Sequence, residues 1–302
     1  MSLDLDSMID RRRIKRRLSF WRLIAIIAIA ALVIWALTPF GVPERKDHVA
    51  RISVDDVIFE NRQIETVLDR IAADPNVKAL VVRINSPGGT TAGSEGLYHA
   101  IRRVGDHKPV VATMGTLAAS GGYMAALAAD HVIARETTIT GSIGVIFQSA
   151  ELSGLLDKIG VGIETVKSGK LKGEPAIDKP MSPEAYAAIQ NMIDDTYNWF
   201  VDLVAVRRPL ERKDVLLLAD GRVFTGRQAA ENGLVDALGG ELEARQWLER
   251  EKGIPATLPV VDKDITPRER LLGDVLGSFV QKILSSEELT LDGMVSLWHP
   301  NR

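Results

Sequence analysis

The chain has 302 residues, of which 46% are hydrophobic and 25% are charged, and these are ordinary values for a globular protein. The net charge of −3 gives no overall basic character, so nothing in the composition indicates a nucleic-acid partner. The absence of cysteine excludes disulfides, cysteine nucleophiles and thiolate metal sites.

The N-terminal part of the chain has the pattern of a membrane anchor. Residues 1–22 form a basic segment that contains RRRIKRR, and the residues after it carry no charge up to Val42. The apolar segment 23–42 is about 30 Å long as a helix, which matches the hydrocarbon core of a bilayer. The flanking positive charges predict a cytoplasmic N-terminus, with the rest of the chain outside. A cleaved signal peptide is the alternative, but WALTPFG offers no small-x-small cleavage site.

Residues 43–302 are predicted to form one α/β domain with a C-terminal helical tail from about residue 266. Short β-branched runs alternate with segments of helical periodicity, which implies parallel strands with helices on both faces of the sheet. The predicted elements in chain order are strand 49–59, helix 61–75, strand 77–84, helix 91–104, strand 109–114, a helix within 116–129, strand 130–135, helix 183–206, a strand–turn–helix over 221–240 and an amphipathic segment at 270–284.

Ser120 is the first candidate for chemistry, because it lies between a predicted strand and the helix that it opens. Its neighbours Gly121 and Gly122 each cost about 1 kcal/mol against alanine inside a helix, so they require an explanation. A nucleophile there would have the N–H of Gly121 directed at an oxyanion, with Gly122 giving clearance. A capping serine followed by packing glycines is the alternative.

The second candidate is SPGG at 86–89, which follows a buried strand at the end where open α/β sheets place their sites. Two glycines after a proline expose backbone N–H groups, and one of these could supply a second oxyanion donor. A plain turn is the alternative.

A serine nucleophile also needs a base, for which histidine is the usual residue. None of the five histidines has a sequence setting that suggests an orienting carboxylate. Lysine can serve instead when burial brings it to the neutral form. The segment VKSGKLKGEP supplies Lys167, Lys170 and Lys172, and a solvated loop is the alternative for each of them.

Together these residues resemble the signal peptide peptidase A family, the single-domain, membrane-anchored serine–lysine peptidases of bacteria. The resemblance covers nearly the whole chain, because several motifs follow the family's order behind an anchor. The motifs are INSPGG at 84–89, MGTLAASGGY at 114–123, TGSIGV at 140–145, SGKLKGEP at 168–175 followed by MSPE, and DGRVFTGRQAAENGLVD at 220–236.

The resemblance implies a ClpP/crotonase-like α/β fold and a serine–lysine dyad without metal or cofactor. Ser120 matches the family nucleophile. Lys172 matches its general base in a Gly-x-x-Lys segment, with Lys167 as the second choice. Ser142 matches a serine that orients the lysine. The oxyanion hole is matched by Gly121 together with Gly88 or Gly89.

The resemblance also implies the setting of the reaction. The substrates would be apolar remnant signal peptides within the membrane lipid. The chain would be a single-pass protein of the inner, cytoplasmic membrane, with its catalytic domain on the outer side. Copies of the chain would form a homo-oligomeric ring, with an octamer expected, in which a lysine reaches the serine of a neighbour. The segment 270–284 would either contact other protomers or pack on its own domain.

Two other functions are compatible with the same fold. One is a crotonase-type enzyme that binds acyl-CoA, although a cytoplasmic cofactor does not fit a domain predicted to lie outside the membrane. The other is a non-catalytic membrane scaffold. Hydrolysis of peptides that depends on Ser120 separates the peptidase from both.

Overall fold

The computed structural model describes residues 20–29 and 46–263 and the backbone of 295–297. The chain divides into two units, Met1–Lys46 and Asp47–Arg302. In the first unit, residues 20–29 form a helix, α1, whose side chains are exposed. Among the described residues, no helix combines the length and the apolar character needed to cross a bilayer. Most of the predicted anchor 23–42, and the whole of 270–284, lie outside the described residues, so both stay predictions.

The second unit is built on a mixed sheet whose described part has nine strands. Their order is β6-β5-β3-β2-β1-β8, with β4 beside β3 and β7, and β9 beside β2. The pairs β5–β6 and β2–β9 are antiparallel, and the other pairs are parallel. The strands are β1 His48–Ile58, β2 Val77–Thr90, β3 Val110–Ala119, β4 His131–Ala134, β5 Ile139–Gly141, β6 Val223–Thr225, β7 Ala237–Leu238, β8 Val260–Asp262 and β9 Val295–Leu297.

Helices cover both faces of this sheet, which confirms the predicted α/β class. Alternate residues of β2 serve the two faces, because successive side chains of a strand point in opposite directions. Leu80 and Val82 join the larger core beneath α3, α4 and α6, while Ala79 and Val81 join a smaller core beneath α9. The helices are α2 Arg62–Ala73, α3 Thr91–Gly105, α4 Gly121–Leu127, α5 Ser153–Ile159, α6 Pro183–Arg207, α7 Arg212–Leu218, α8 Gly226–Glu231 and α9 Glu241–Lys252.

Two element boundaries differ from the prediction in ways that matter for the site. The strand predicted over 77–84 continues through SPGG to Thr90, because these residues pair with β1, β3 and β9. The helix expected within 116–129 is only seven residues long, since 117–119 extend β3 and pair with β5. Ser120 therefore joins a long strand directly to a short, wholly buried helix.

Candidate active site

Ser120 occupies a strained position between β3 and α4. Its backbone has φ 54° and ψ −119°, a region that non-glycine residues rarely adopt and that costs about 1–3 kcal/mol. The residue is 1% exposed, and its side chain makes no hydrogen bond that caps α4. The capping alternative is therefore wrong. Such strain persists only where the surrounding structure fixes the residue, and it is common at functional sites.

The backbone around Ser120 is fixed by neighbouring elements. The N–H of Ser120 donates to the carbonyl of Gly141 at the end of β5, at 2.8 Å. The hydroxyl of Tyr123 donates to the carbonyl of Leu234 at 2.8 Å, and its complete burial raises the pKa of that hydroxyl. Every residue of α4 is buried. The serine is thus held by the core on both sides.

Two arginines hold the C-terminal end of α4. Arg207 donates from Nε to the carbonyl of Leu127 at 2.7 Å and from Nη2 to that of Ala129 at 2.8 Å. Arg102 donates from Nη1 to the carbonyl of Ala128 at 3.0 Å. Cations at this end complement the dipole of the helix. Both ends of α4 are therefore anchored.

The two glycines after Ser120 are required by close packing. A Cβ added at Gly121 would lie 2.1 Å from Oγ of Ser94 and 3.2 Å from the backbone nitrogen of Gly89. A Cβ at Gly122 would lie 2.7 Å from the carbonyl oxygen of Ser86. Gly122 thus gives clearance to β2, rather than to a substrate. Gly121 therefore packs closely against Gly89 of β2.

The SPGG segment belongs to β2, so the plain-turn alternative is wrong. The hydroxyl of Ser86 donates to the carbonyl of Asp56 at 2.5 Å and accepts the N–H of Gly88 at 3.1 Å. Because the N–H of Gly88 is already engaged, the geometry favours Gly89 as the second oxyanion donor beside Gly121.

Ser142 lies next to Ser120 across the sheet. The pairing of Ala119 with Gly141 places these two serines directly after paired residues of β3 and β5. Ser142 has φ 50° and is 8% exposed, and its N–H donates to the carbonyl of Arg222 at 2.9 Å. The structure therefore brings together Ser120, Ser142, Gly89 and Gly121.

The candidate lysines lie on residues 144–184, which we call the arm. None of its residues is buried. Lys167 donates from Nζ to Oε1 of Glu174 at 2.8 Å. Lys172 is exposed, and within the described ranges its side chain forms no hydrogen bond or ion pair. The structure thus links Lys167 to a carboxylate and leaves the role of Lys172 as a prediction.

His131 has a neighbouring carboxylate that the sequence did not reveal. Its Nδ1 lies 3.7 Å from Oδ2 of Asp236, and its ring stacks on Trp247 with centroids 4.7 Å apart. Burial lowers the pKa of His131. The residue pairs with Val111, the second residue of β3, whereas Ser120 follows the last residue of β3, so the two lie at opposite ends of this strand. His131 is therefore not a base for this serine.

Two further groups near the candidate residues were missed from the sequence. Ser94, in the first turn of α3, is fully buried against Gly121, and its position just after SPGG was the only available signal. Glu174 binds two lysines on the arm, and its place between them was the corresponding signal. In the described part of the chain, no three His, Asp or Glu side chains converge to hold a metal ion.

Comparison with known proteins shows similarity to peptidases. The profile of Peptidase family S49 matches residues 102–255, a range that contains Ser120, Ser142 and Lys172. A candidate protease of Synechocystis sp. is 42% identical over 234 residues, covering 77% of this chain and 80% of that protein. The chloroplastic serine protease SPPA of Arabidopsis thaliana is 34% identical over 72% of this chain, but the match spans 32% of that protein.

Two further proteins are similar to smaller parts of this chain. Protease 4 of Haemophilus influenzae is 33% identical over 67% of this chain and 35% of its own length. Among solved structures, a ClpP1 mutant from Listeria monocytogenes resembles 63% of this chain and 91% of its own, at 16% identity and a TM-score of 0.43. That score is too low to decide the ClpP/crotonase-like assignment, which stays a prediction. From the S49 profile and the identity to the Synechocystis protein, the chain belongs to peptidase family S49.

Proposed function

We propose that this peptidase is a serine endopeptidase in which Ser120 is the nucleophile and Lys172 is the general base. The observation that carries the proposal is the strained, buried Ser120 beside Gly121 and Gly89. Its side chain is not used to cap α4, and the core holds its backbone on both sides. Ser142, at the neighbouring strand end, would orient the lysine.

The proposed reaction runs through an acyl-enzyme. Neutral Lys172 accepts the proton of the Ser120 hydroxyl as Oγ attacks the scissile carbonyl carbon. The N–H groups of Gly121 and Gly89 hold the resulting oxyanion, and removing one such donor typically costs about 10²–10³ in rate. The protonated lysine then gives its proton to the leaving amine as the C–N bond breaks. A water molecule, deprotonated by the same lysine, hydrolyses the ester.

We propose remnant signal peptides as the substrates, because their apolar, extended chains would suit a site held near a bilayer by the predicted anchor 23–42. The catalytic domain would face the outer side of the inner membrane. A peptide would bind as a strand beside SPGG. The pairing of β9 with Gly88–Thr90 supports this, since the same edge accepts an antiparallel strand here.

We propose that the lysine acts within a homo-oligomeric ring, with an octamer expected. The support is the arm, which exposes many large apolar side chains although monomeric proteins rarely leave such contiguous patches uncovered. They are Ile146, Leu152, Leu155, Ile159, Val161, Ile163, Val166, Leu171, Ile177 and Met181. A neighbouring protomer that covers them would also decide where Lys172 lies.

The test is hydrolysis of an apolar peptide by the full chain in mild detergent. We expect Ser120→Ala and Lys172→Ala each to lower kcat/KM by about 10⁴-fold or more, as for other catalytic groups that act as a unit. Ser149→Ala, at an exposed arm serine, is the matched control and should be as active as the unsubstituted chain.

The outcomes separate the alternatives. Full activity in Ser120→Ala would contradict the serine mechanism and leave the scaffold or the acyl-CoA enzyme. Full activity in Lys172→Ala, together with its loss in Lys167→Ala, would reassign the base to Lys167. A monomer that retains full hydrolysis would contradict a site shared between protomers.

A further inference from the structure

One carboxylate joins the two ends of the loop that carries Lys172. Oε1 of Glu174 accepts Nζ of Lys167 at 2.8 Å and Nζ of Lys179 at 2.6 Å. Lys167 precedes the loop and Lys179 follows it, so the three side chains close the loop at its base. We call these three residues the clamp.

Between the ends of the clamp, the backbone forms two successive turns. The N–H of Lys172 donates to the carbonyl of Gly169, and that of Glu174 donates to the carbonyl of Leu171, both at 3.2 Å. Leu171 and Lys172 are therefore shared by both turns, and both are exposed on the loop that the clamp closes. The loop is tied to α5 by the N–H of Leu152, which donates to the carbonyl of Ile177 at 2.7 Å.

The burial of Glu174 is unlike that of the arm around it. Its side chain is 5% exposed, against 17% for Lys167 and 49% for Lys179. Its second oxygen, Oε2, is buried and has no hydrogen-bond partner among the described residues. A buried acceptor without a hydrogen bond costs stability, and such a group in a native protein calls for an explanation, of which a role in catalysis is one. The clamp is thus poorly explained by stability alone.

We propose that Glu174 is a positioning residue for the general base, and that Lys167 and Lys179 serve it as partners rather than as bases. The inference rests on the proposed role of Lys172. In this arrangement Glu174 fixes the two turns that carry Lys172, and the charges of the clamp tune the proton affinity of the base.

The sign of the electrostatic effect follows from the charges. Lys167, and next Lys179, lower the pKa of Glu174 to about 2, so its carboxylate is ionised at every working pH. The clamp then carries two positive charges and one negative charge. Asp178 faces Lys179, while Lys170 and Glu151 are the other charged groups on the loop and at the start of α5. Removing the negative charge makes protonation of Lys172 harder, and removing a positive charge makes it easier.

The test is the pH dependence of kcat/KM in the full chain. For Glu174→Gln we expect kcat to fall about tenfold with little change in KM. The midpoint of the acid limb should move to lower pH by about 0.3 of a unit, the size of one charge acting across about 10 Å in a medium as polar as water. For Lys179→Met the midpoint should move to higher pH. Glu174→Asp keeps the charge, so it should keep the midpoint and recover part of kcat.

The exposed ion pair Lys213–Glu211 on α7 supplies matched controls. Its atoms are 2.7 Å apart, as in the clamp, but both side chains are 73% exposed. Glu211→Gln and Lys213→Met should leave both kcat and the midpoint unchanged.

Two results would overturn the inference. One is an unchanged midpoint in both Glu174→Gln and Lys179→Met, and the other is a shift of both in the same direction. Lys172→Ala is assayed in parallel. If Lys172→Ala is inactive while the clamp variants behave like the unsubstituted chain, the proposed role of Glu174 is wrong and the proposed role of Lys172 is supported. If Lys172→Ala is fully active, the proposal that Lys172 is the general base is wrong.

Discussion

The two parts of the candidate site differ sharply in what holds them. Ser120 and the glycines beside it are fixed by β2, β3, β5 and α4, in which most residues are buried. The arm that carries the lysines has no buried residue. The difference supports the proposal that Ser120 and its oxyanion donors are pre-organised within one chain. The base would then depend on a local clamp and on whatever covers the arm.

The largest effect should come from breaking the arm's apolar surface. Leu155→Asp and Ile159→Asp place charges on residues that are 55% and 61% exposed in α5. We expect the oligomer to dissociate in light-scattering measurements and kcat/KM to fall by about 10³-fold, within the usual contribution of a general base. The thermal transition of the core should not move.

Leu217→Asp is the control for this prediction, because Leu217 is 73% exposed on α7, away from the arm. It should leave both assembly and activity unchanged. If the α5 variants remain assembled and active, the arm is not the interface, and the contrast between the two regions has another cause.

A smaller effect on activity should follow from a substitution that crowds the region around Ser120. In Gly121→Ala the new Cβ would lie 2.1 Å from Oγ of Ser94, so either Ser94 or the backbone that carries the proposed oxyanion donor must shift. We expect kcat to fall by about 10²-fold, as for loss of one oxyanion donor. Adding Ser94→Ala removes the clashing oxygen and should restore part of the activity.

The matched substitution on the arm is Gly154→Ala, where an added Cβ meets nothing within 4 Å. Its kcat should stay within about twofold of the unsubstituted chain, since a surface change of this kind is worth less than about 0.5 kcal/mol. Equal losses at Gly121 and Gly154 would mean that the core half is no more constrained than the arm.

The ion pair between Arg208 and Asp236 should affect stability rather than catalysis. Arg208 is 8% exposed and donates to both oxygens of Asp236, at 2.8 and 3.0 Å. Burial alone would raise the pKa of Asp236, but the hydrogen bonds and charge of Arg208 outweigh it and lower that pKa. Asp236→Asn leaves a buried guanidinium unpaired. It should therefore lower the free energy of unfolding at pH 7 by about 3 kcal/mol.

The direction in which this stability difference changes with pH follows from the lowered pKa of Asp236. A carboxylate whose pKa is lowered by folding contributes stability above its unfolded pKa, which is lost as the pH falls. The difference between the unsubstituted chain and Asp236→Asn, measured by urea unfolding, should therefore shrink below about pH 4. Asp220→Asn breaks an exposed pair with Arg222 and should cost less than about 1 kcal/mol. A pH-independent difference at Asp236 would contradict the linkage.

The sequence by itself predicted the α/β class and most elements, which the structure confirms, and it also singled out Ser120 as the candidate nucleophile. The short, β-branched apolar run Ala79–Val82 favours a buried strand. Ser182-Pro183 starts α6 as predicted, with Oγ of Ser182 accepting the N–H of Ala185. These features depend on neighbours along the chain, so local pattern suffices. The glycines at positions 121 and 122 were also evident in the sequence, but the close contacts that require them were not.

Only the tertiary structure decided which neighbours require glycine at positions 121 and 122. It also decided which groups near Ser120 are already engaged in hydrogen bonds. Contact of Gly121 with Ser94, engagement of the Gly88 N–H by Ser86, and placement of Ser142 beside Ser120 all arise from pairing between strands distant in the chain. The same holds for Glu174, which ranks as one charge among many in the sequence and becomes a shared partner of two lysines in the fold. Hydrogen bonds and close contacts across a sheet are set by register, and register depends on the packing of the whole core.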